Sequence, residues 1–156
     1  MVFARPGAEV VEVEAGVPHP RILLVDDEPQ VLKSLHRLLR SRFEVETAAG
    51  GHEALAKLEL FRPDVVISDF RMPVMNGAEL LLEVKRRYPL TLRLILSGYA
   101  DLEAVPGLVG QAGISRYLHK PWNGPAMMAL LDMLLASRVV PEASPPAQGG
   151  DPPASP

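Results

Sequence analysis

The sequence predicts an α/β fold, a five-stranded parallel sheet covered by helices on both faces to make a three-layer sandwich. Three observations predict it. Between residues 21 and 139, short apolar runs alternate with segments whose apolar residues recur at helical spacing, the signature of consecutive βα units. The runs are continuous rather than alternating polar and apolar, as in strands buried on both faces of a parallel sheet. Parallel βαβ connections are right-handed, and helices laid down that way cover both faces of the sheet.

Taken in order, residues 1–20 hold Pro6, Pro18, Pro20, Gly7 and Gly16. They read as an extended or disordered leader, within which Val10-Val11-Glu12-Val13 can form a short edge strand. Ile22-Leu23-Leu24-Val25 is the first strand and ends in Asp26-Asp27-Glu28-Pro29. A proline early in a helix is tolerated, because its missing N–H had no helical partner. Val31, Leu32, Leu35, Leu38 and Leu39 then mark one helical face, with Lys33, Arg37 and Arg40 opposite. Phe43–Thr47 is the second strand. Ala54, Leu55, Leu58 and Phe61 mark the second helix, after Gly50-Gly51. Val65–Asp69 is the third strand, and Leu80, Leu81, Val84 and Tyr88 the third helix, stopped by Pro89. Leu92–Leu96 leads into Ser97-Gly98. A fourth helix is expected over residues 101–112, weakened by Pro106-Gly107, since interior proline costs about 3 kcal/mol. Arg116–Leu118 is the fifth strand and residues 123–138 the final helix. Residues 140–156 are mostly Pro, Ala, Ser and Gly with little to bury, and read as a disordered tail. The folded domain is therefore residues 21–139.

Composition narrows the function. The 156 residues suffice for one domain with a real core, and with 47% hydrophobic but only 5% aromatic residues that core is aliphatic. A net charge of −3 gives no electrostatic reason to expect nucleic acid or an anionic membrane as partner. Cysteine is absent, which excludes disulfides, thiolate catalysis and thiolate-bound zinc and fits a reducing cytoplasm. No apolar run approaches the roughly 20 residues of a membrane span, and the N-terminus lacks the basic start and apolar core of a signal peptide.

Four strand ends carry polar groups: Asp26-Asp27, Asp69, Ser97 and Lys120. In a parallel sheet the carboxyl ends of the strands share one edge, where ligands bind. Hard oxygen ligands from Asp26, Asp27 and Asp69 suit Mg²⁺. Carboxylates this close repel one another and favour a cation. A phosphoryl group on Asp69 would meet Mg²⁺, the Lys120 ammonium and the Ser97 hydroxyl, and positioning plus charge stabilisation is most of what phosphoryl transfer needs. Each residue alone has a plainer role, Asp26-Asp27 as a helix cap and Ser97 as a turn hydroxyl. The four together argue for chemistry.

The segments LLVDDE, SDFRMPVMNG, LSGYAD and YLHKPW closely resemble the receiver domain of two-component response regulators. The resemblance spans residues 20–139, with Asp69 lying 42 residues past Asp27, Ser97 28 past Asp69 and Lys120 23 past Ser97. It implies a flavodoxin-like (βα)5 sandwich with sheet order 2-1-3-4-5. It implies Asp69 as phosphoacceptor, Asp26 and Asp27 as the acidic pair around Mg²⁺ (Asp27 the more direct ligand), and the Arg71 backbone carbonyl as a further ligand. Ser97 and Tyr117 become the switch residues, Lys120 the phosphate-binding lysine, and Pro121 the residue after a cis peptide. The implied donor is a histidine kinase or phosphotransfer protein, the setting cytoplasmic, and the output partner open. A phosphorylation-independent binding module on the same fold is the alternative, and the complete residue set argues against it. An aspartate-nucleophile phosphatase would want a second carboxylate two residues past the nucleophile, where this chain has Arg71. The chain therefore reads as a signalling module rather than an enzyme with turnover.

The final helix is apolar nearly all round. Met127, Met128, Leu131, Leu134 and Leu135 form the stripe expected to face the sheet, leaving Ala126, Ala129, Leu130 and Met133 on the other side. Leu130 and Met133 are accordingly expected in a homodimer or an output interface.

Overall fold

The computed structural model describes residues 19–98 and 113–143, the side chains of 139–143 excepted. The expected leader up to residue 18, the expected fourth helix over 101–112 and the tail from residue 144 lie outside the described residues. The elements in order are β1 (Arg21–Val25), α1 (Pro29–Leu39), β2 (Glu44–Ala48), α2 (Gly51–Phe61), β3 (Val65–Asp69), α3 (Gly77–Arg87), β4 (Leu92–Ser97), β5 (Arg116–His119) and the last helix α4 (Gly124–Ala143). All strand pairs are parallel and the sheet order is β2-β1-β3-β4-β5, the predicted 2-1-3-4-5.

Strand side chains alternate between two cores. Ile22, Leu24, Val65, Ile67, Leu94 and Leu96 meet Leu35 and Leu39 of α1 and Met127 and Leu131 of α4. Leu23, Val25, Val66 and Ile95 meet Ala54 and Leu58 of α2 and Leu80, Leu81 and Val84 of α3. Each such aliphatic side chain, fully buried, contributes roughly 1.5–3 kcal/mol of transfer free energy. β3 is buried along its whole length, so the strand that ends in Asp69 is the most enclosed in the sheet.

Local chemistry explains the element ends. Pro29 opens α1 at its first helical position. α3 starts with a reciprocal capping box in which the Asn76 side chain accepts the Glu79 N–H while the Glu79 carboxylate accepts the Asn76 N–H. It ends at Arg87, and Tyr88 caps it before Pro89.

Several bounds differ from the sequence reading. The second strand is Glu44–Ala48 rather than Phe43–Thr47, because Phe43 is drawn into the α1 core before the strand begins. The fifth strand extends to His119, which stands opposite Ser97 in the ladder. The last helix runs to Ala143, past the expected end at residue 138.

Candidate functional site

The carboxyl edge of the sheet brings together the residues that the strand ends supply. Asp26 follows β1 and is held by the adjacent turn: its N–H donates to Ala48 O, and its Oδ1 accepts the Glu28 N–H at 2.9 Å. Asp69 closes β3 and is 6% exposed. Lys120 follows β5, anchored where its N–H donates to Ser97 O at 2.9 Å. Its ammonium lies 2.8 Å from Asp69 Oδ1 and 3.8 Å from Asp26 Oδ2. The first contact is a charge-assisted hydrogen bond and the second a looser ion pair.

Asp26, Asp27 and Asp69 each bring a carboxylate oxygen within 4.8 Å of the others. Asp26 is buried and Asp27 exposed, so the adjacent carboxylates differ sharply in environment. Burial raises Asp26 most; the Glu28 N–H opposes it, the charge of Asp69 adds to it, and the net result is a pKa of about 6 against an ordinary 3.8. Burial alone would lower Lys120, but the contact with Asp69 and the charges of Asp69, Asp26 and Glu28 raise it overall, keeping it an ammonium. One lysine against three carboxylates leaves excess negative charge. Asp26 Oδ2 is buried without a hydrogen-bond partner among the described residues. A small, hard divalent cation matches that donor set.

Ser97 ends β4 with a buried hydroxyl that has no hydrogen-bond partner among the described residues, and the same holds for the Tyr117 hydroxyl on β5. The Tyr117 ring packs with the α2–α3 core, and burial raises its phenol. The Lys120-Pro121 peptide is cis. Arg71 is exposed on the loop after β3, where Phe70, Arg71, Met72, Pro73 and Asn76 line an open cavity of about 420 Å³. The structure thus brings Asp26, Asp27, Asp69 and Lys120 together and sets Ser97 on the neighbouring strand end.

Leu130 departs from the expectation of a free outer face. It is half-buried against the α1–α4 core and, with Tyr117, Trp122 and Met127, lines a cavity of about 190 Å³. Met133 is 48% exposed. An ion pair between Arg42 and Asp132 ties α4 to the turn before β2.

Sequence reasoning missed the positional role of Gly77. Its N–H donates to Phe70 O at 2.8 Å. A Cβ there would fall on the Asp69 carbonyl oxygen, far inside van der Waals contact, and 3.0 Å from Ile95 Cδ1. Only glycine lets the start of α3 lie against the end of β3. An Asn-Gly pair signals a turn, but nothing local signals a backbone oxygen from another element.

Comparison with known proteins agrees with this geometry. The model of the response regulator receiver domain matches residues 22–132. The chain is 41% identical over 101 residues to the hydrogenase transcriptional regulatory protein HoxA of Cupriavidus necator, covering 65% of this chain and 21% of that protein. It is 38% identical over 128 residues to the transcriptional regulatory protein PrrA of Mycobacterium tuberculosis, covering 81% of this chain and 54% of that protein. The chain therefore spans between about a fifth and about half the length of these curated relatives. Among solved structures, the signal receiver domain of an HD domain-containing protein from Pseudomonas fluorescens superposes with a TM-score of 0.74 at 32% identity, covering 78% of this chain and 98% of that one. The chemotaxis protein CheY4 of Vibrio cholerae superposes with a TM-score of 0.69 at 34% identity, covering 74% and 98%.

Proposed function

The chain belongs to the response regulator receiver domain family, and on that footing we propose that it accepts a phosphoryl group on Asp69 and passes the change to a partner-binding face. The observation that carries the proposal is the 2.8 Å contact of Lys120 with the buried Asp69 carboxylate, beside two further carboxylates. The donor is a cytoplasmic histidine kinase or phosphotransfer protein. An Asp69 carboxylate oxygen attacks phosphorus, a P–O bond forms, the bond from phosphorus to the donor's imidazole nitrogen breaks, and the imidazole leaves with the electron pair. The incoming charge displaces Lys120 from the carboxylate toward the new oxygens. The Ser97 hydroxyl, which has no hydrogen-bond partner among the described residues, donates to one of them, and Tyr117 follows into the space that Ser97 vacates. Asp26, Asp27, Asp69 and the Arg71 carbonyl would hold Mg²⁺, which supplies charge neutralisation at the phosphoryl oxygens. The output face includes Met133 and the partly covered Leu130, in a homodimer or against another protein. The module assists only its own phosphorylation and dephosphorylation.

The test is intact-mass measurement after incubation with a small phosphodonor. The chain gains one phosphoryl group in Mg²⁺ and none in EDTA, and Asp69→Asn abolishes the gain. Full labelling of Asp69→Asn at the wild-type rate would refute the assignment.

A further inference from the structure

The amino edge of the sheet, a strand's length from Asp69, holds features that the phosphoacceptor site does not use. An open cavity of about 480 Å³ lies there, lined by Pro20 and Arg21 at the start of β1, Arg62 and Asp64 ahead of β3, and Leu135 and Arg138 of α4. Cavities of this size hold small organic ligands. Three guanidiniums face one carboxylate, and that carboxylate is already engaged. Asp64 Oδ1 accepts from Arg138 Nη2 at 2.8 Å, and Asp64 Oδ2 accepts the Arg21 N–H at 2.8 Å. Glu44, which is not in the lining, offsets Arg21 from 3.2 Å. Arg62 enters no ion pair among the described residues, although Arg21 and Arg138 both do. The cavity therefore keeps a positive charge that nothing beside it neutralises.

The guanidiniums are held rather than free to swing. Arg21 Nη1 donates to Phe61 O at 2.9 Å, and its guanidinium lies 5.7 Å from the centre of the Phe61 ring. Arg62 Nε donates to Glu59 O at 2.9 Å, and its guanidinium lies 5.5 Å over the Tyr88 ring. Arg138 donates from Nη1 to Asp64 O at 3.2 Å and from Nη2 to Asp64 Oδ1. Ring faces and carbonyls thus orient each planar fork in advance. Among the described residues, both Nη groups of Arg62 and Nη2 of Arg21 donate to no protein atom.

The backbone at Arg62 is an independent sign. Arg62 caps α2 in the left-handed region, at φ 52° and ψ 65°, where helix ends favour glycine. An arginine in a conformation suited to glycine marks a side chain with a task. We propose that this cavity binds an organic phosphate monoester. Its phosphate oxygens accept from the Nη groups of Arg62 and Arg21, because the guanidinium fork matches phosphate geometry in pairs of bonds. Its organic body rests on Pro20 and Leu135. Since Leu135 and Arg138 belong to α4, the bound ligand joins the C-terminal half of that helix to the starts of β1 and β3.

The experiment is a titration of the full, unphosphorylated chain in EDTA and low salt, followed by amide NMR. The probes are AMP, inorganic phosphate, adenosine and succinate. AMP shifts the amides of Arg21, Arg62, Asp64 and Arg138 and saturates with a Kd on the order of 1 mM or below. Inorganic phosphate shifts the same amides more weakly, and adenosine and succinate do not saturate. Arg62→Gly suits the left-handed backbone and melts within about 3 °C of the wild type, yet it binds AMP roughly 10-fold to 100-fold more weakly, the worth of a charge-assisted hydrogen bond. Arg62→Gln, which keeps the stem of the side chain, shows the same loss. Wild-type AMP affinity in either variant overturns the proposal. So does the lack of a saturable AMP shift, AMP binding no tighter than adenosine or succinate, or a shift centred on Lys33, Arg37 and Arg40 of α1. The readout needs no phosphoryl transfer, so it succeeds or fails independently of the role of Asp69.

Discussion

Replacing Asp26 with asparagine should make the metal-free protein more stable. Asp26 is 2% exposed, and burial with the neighbouring carboxylates lifts its pKa from 3.8 to about 6. The folded state therefore holds the Asp26 proton more tightly than the unfolded chain does. Between about pH 4 and pH 6 the unfolded chain has released that proton while the folded protein still keeps it, so stability falls as pH rises. The penalty is absent below about pH 4 and complete above about pH 6. At about 1.4 kcal/mol per pH unit, the displacement amounts to roughly 3 kcal/mol at pH 7.5. The asparagine side chain would be neutral and would keep an acceptor for the Glu28 N–H. Urea unfolding in EDTA at pH 7.5 should thus show Asp26→Asn more stable by about 1–3 kcal/mol, on the order of 1 M in midpoint, with the gain reduced to about a third at pH 4.5. A divalent cation should narrow the difference, since a ligand at a hundred times its Kd stabilises the binding form by about 2.7 kcal/mol. If Asp26→Asn were less stable at pH 7.5 in EDTA, or its gain were undiminished at pH 4.5, the electrostatic reasoning would be wrong.

Three further outcomes follow from particular contacts. Gly77→Ala should destabilise the domain by about 2–4 kcal/mol, in the range of strained or overpacked sites, and should slow phosphodonor labelling, because the new methyl displaces the Asp69 carbonyl; thermal unfolding and intact mass check both. Val74 is 90% exposed at a φ of 73°, a left-handed conformation that a β-branched residue resists. Val74→Asn should therefore stabilise the protein by about 1 kcal/mol, read from the urea midpoint. Met133→Lys should leave the melting temperature within about 2 °C, as an exposed substitution does, while abolishing any phosphodonor-dependent rise in mass by light scattering; a dimer that survives the change would place the contact elsewhere.

The βα alternation, the fold class and the sheet order were legible because their causes are local or topological. A continuous apolar run bounded by turn residues marks a buried strand whatever surrounds it, and parallel connections allow few arrangements. The same logic located the site: once the strands are parallel, Asp26, Asp69, Ser97 and Lys120 must share an edge, wherever they fall in the chain. Tertiary structure decided what depends on distant neighbours. Asp26 and Asp27 are adjacent and chemically identical, yet one is buried beside Lys120 and the other exposed, because the turn after β1 directs them oppositely. Arg93 reads as an interruption in Leu92–Leu96, but its buried guanidinium donates to the carbonyls of Pro89, Thr91 and Gly113 and pins the entry to β5. Leu130 reads as an outward residue on an ideal helix, but it is half-buried against the α1–α4 core and shares a cavity with Trp122. Periodicity reports which side of its own element a residue occupies. What stands on that side, and at what distance, is set by chain segments far away in sequence, and only packing brings them together.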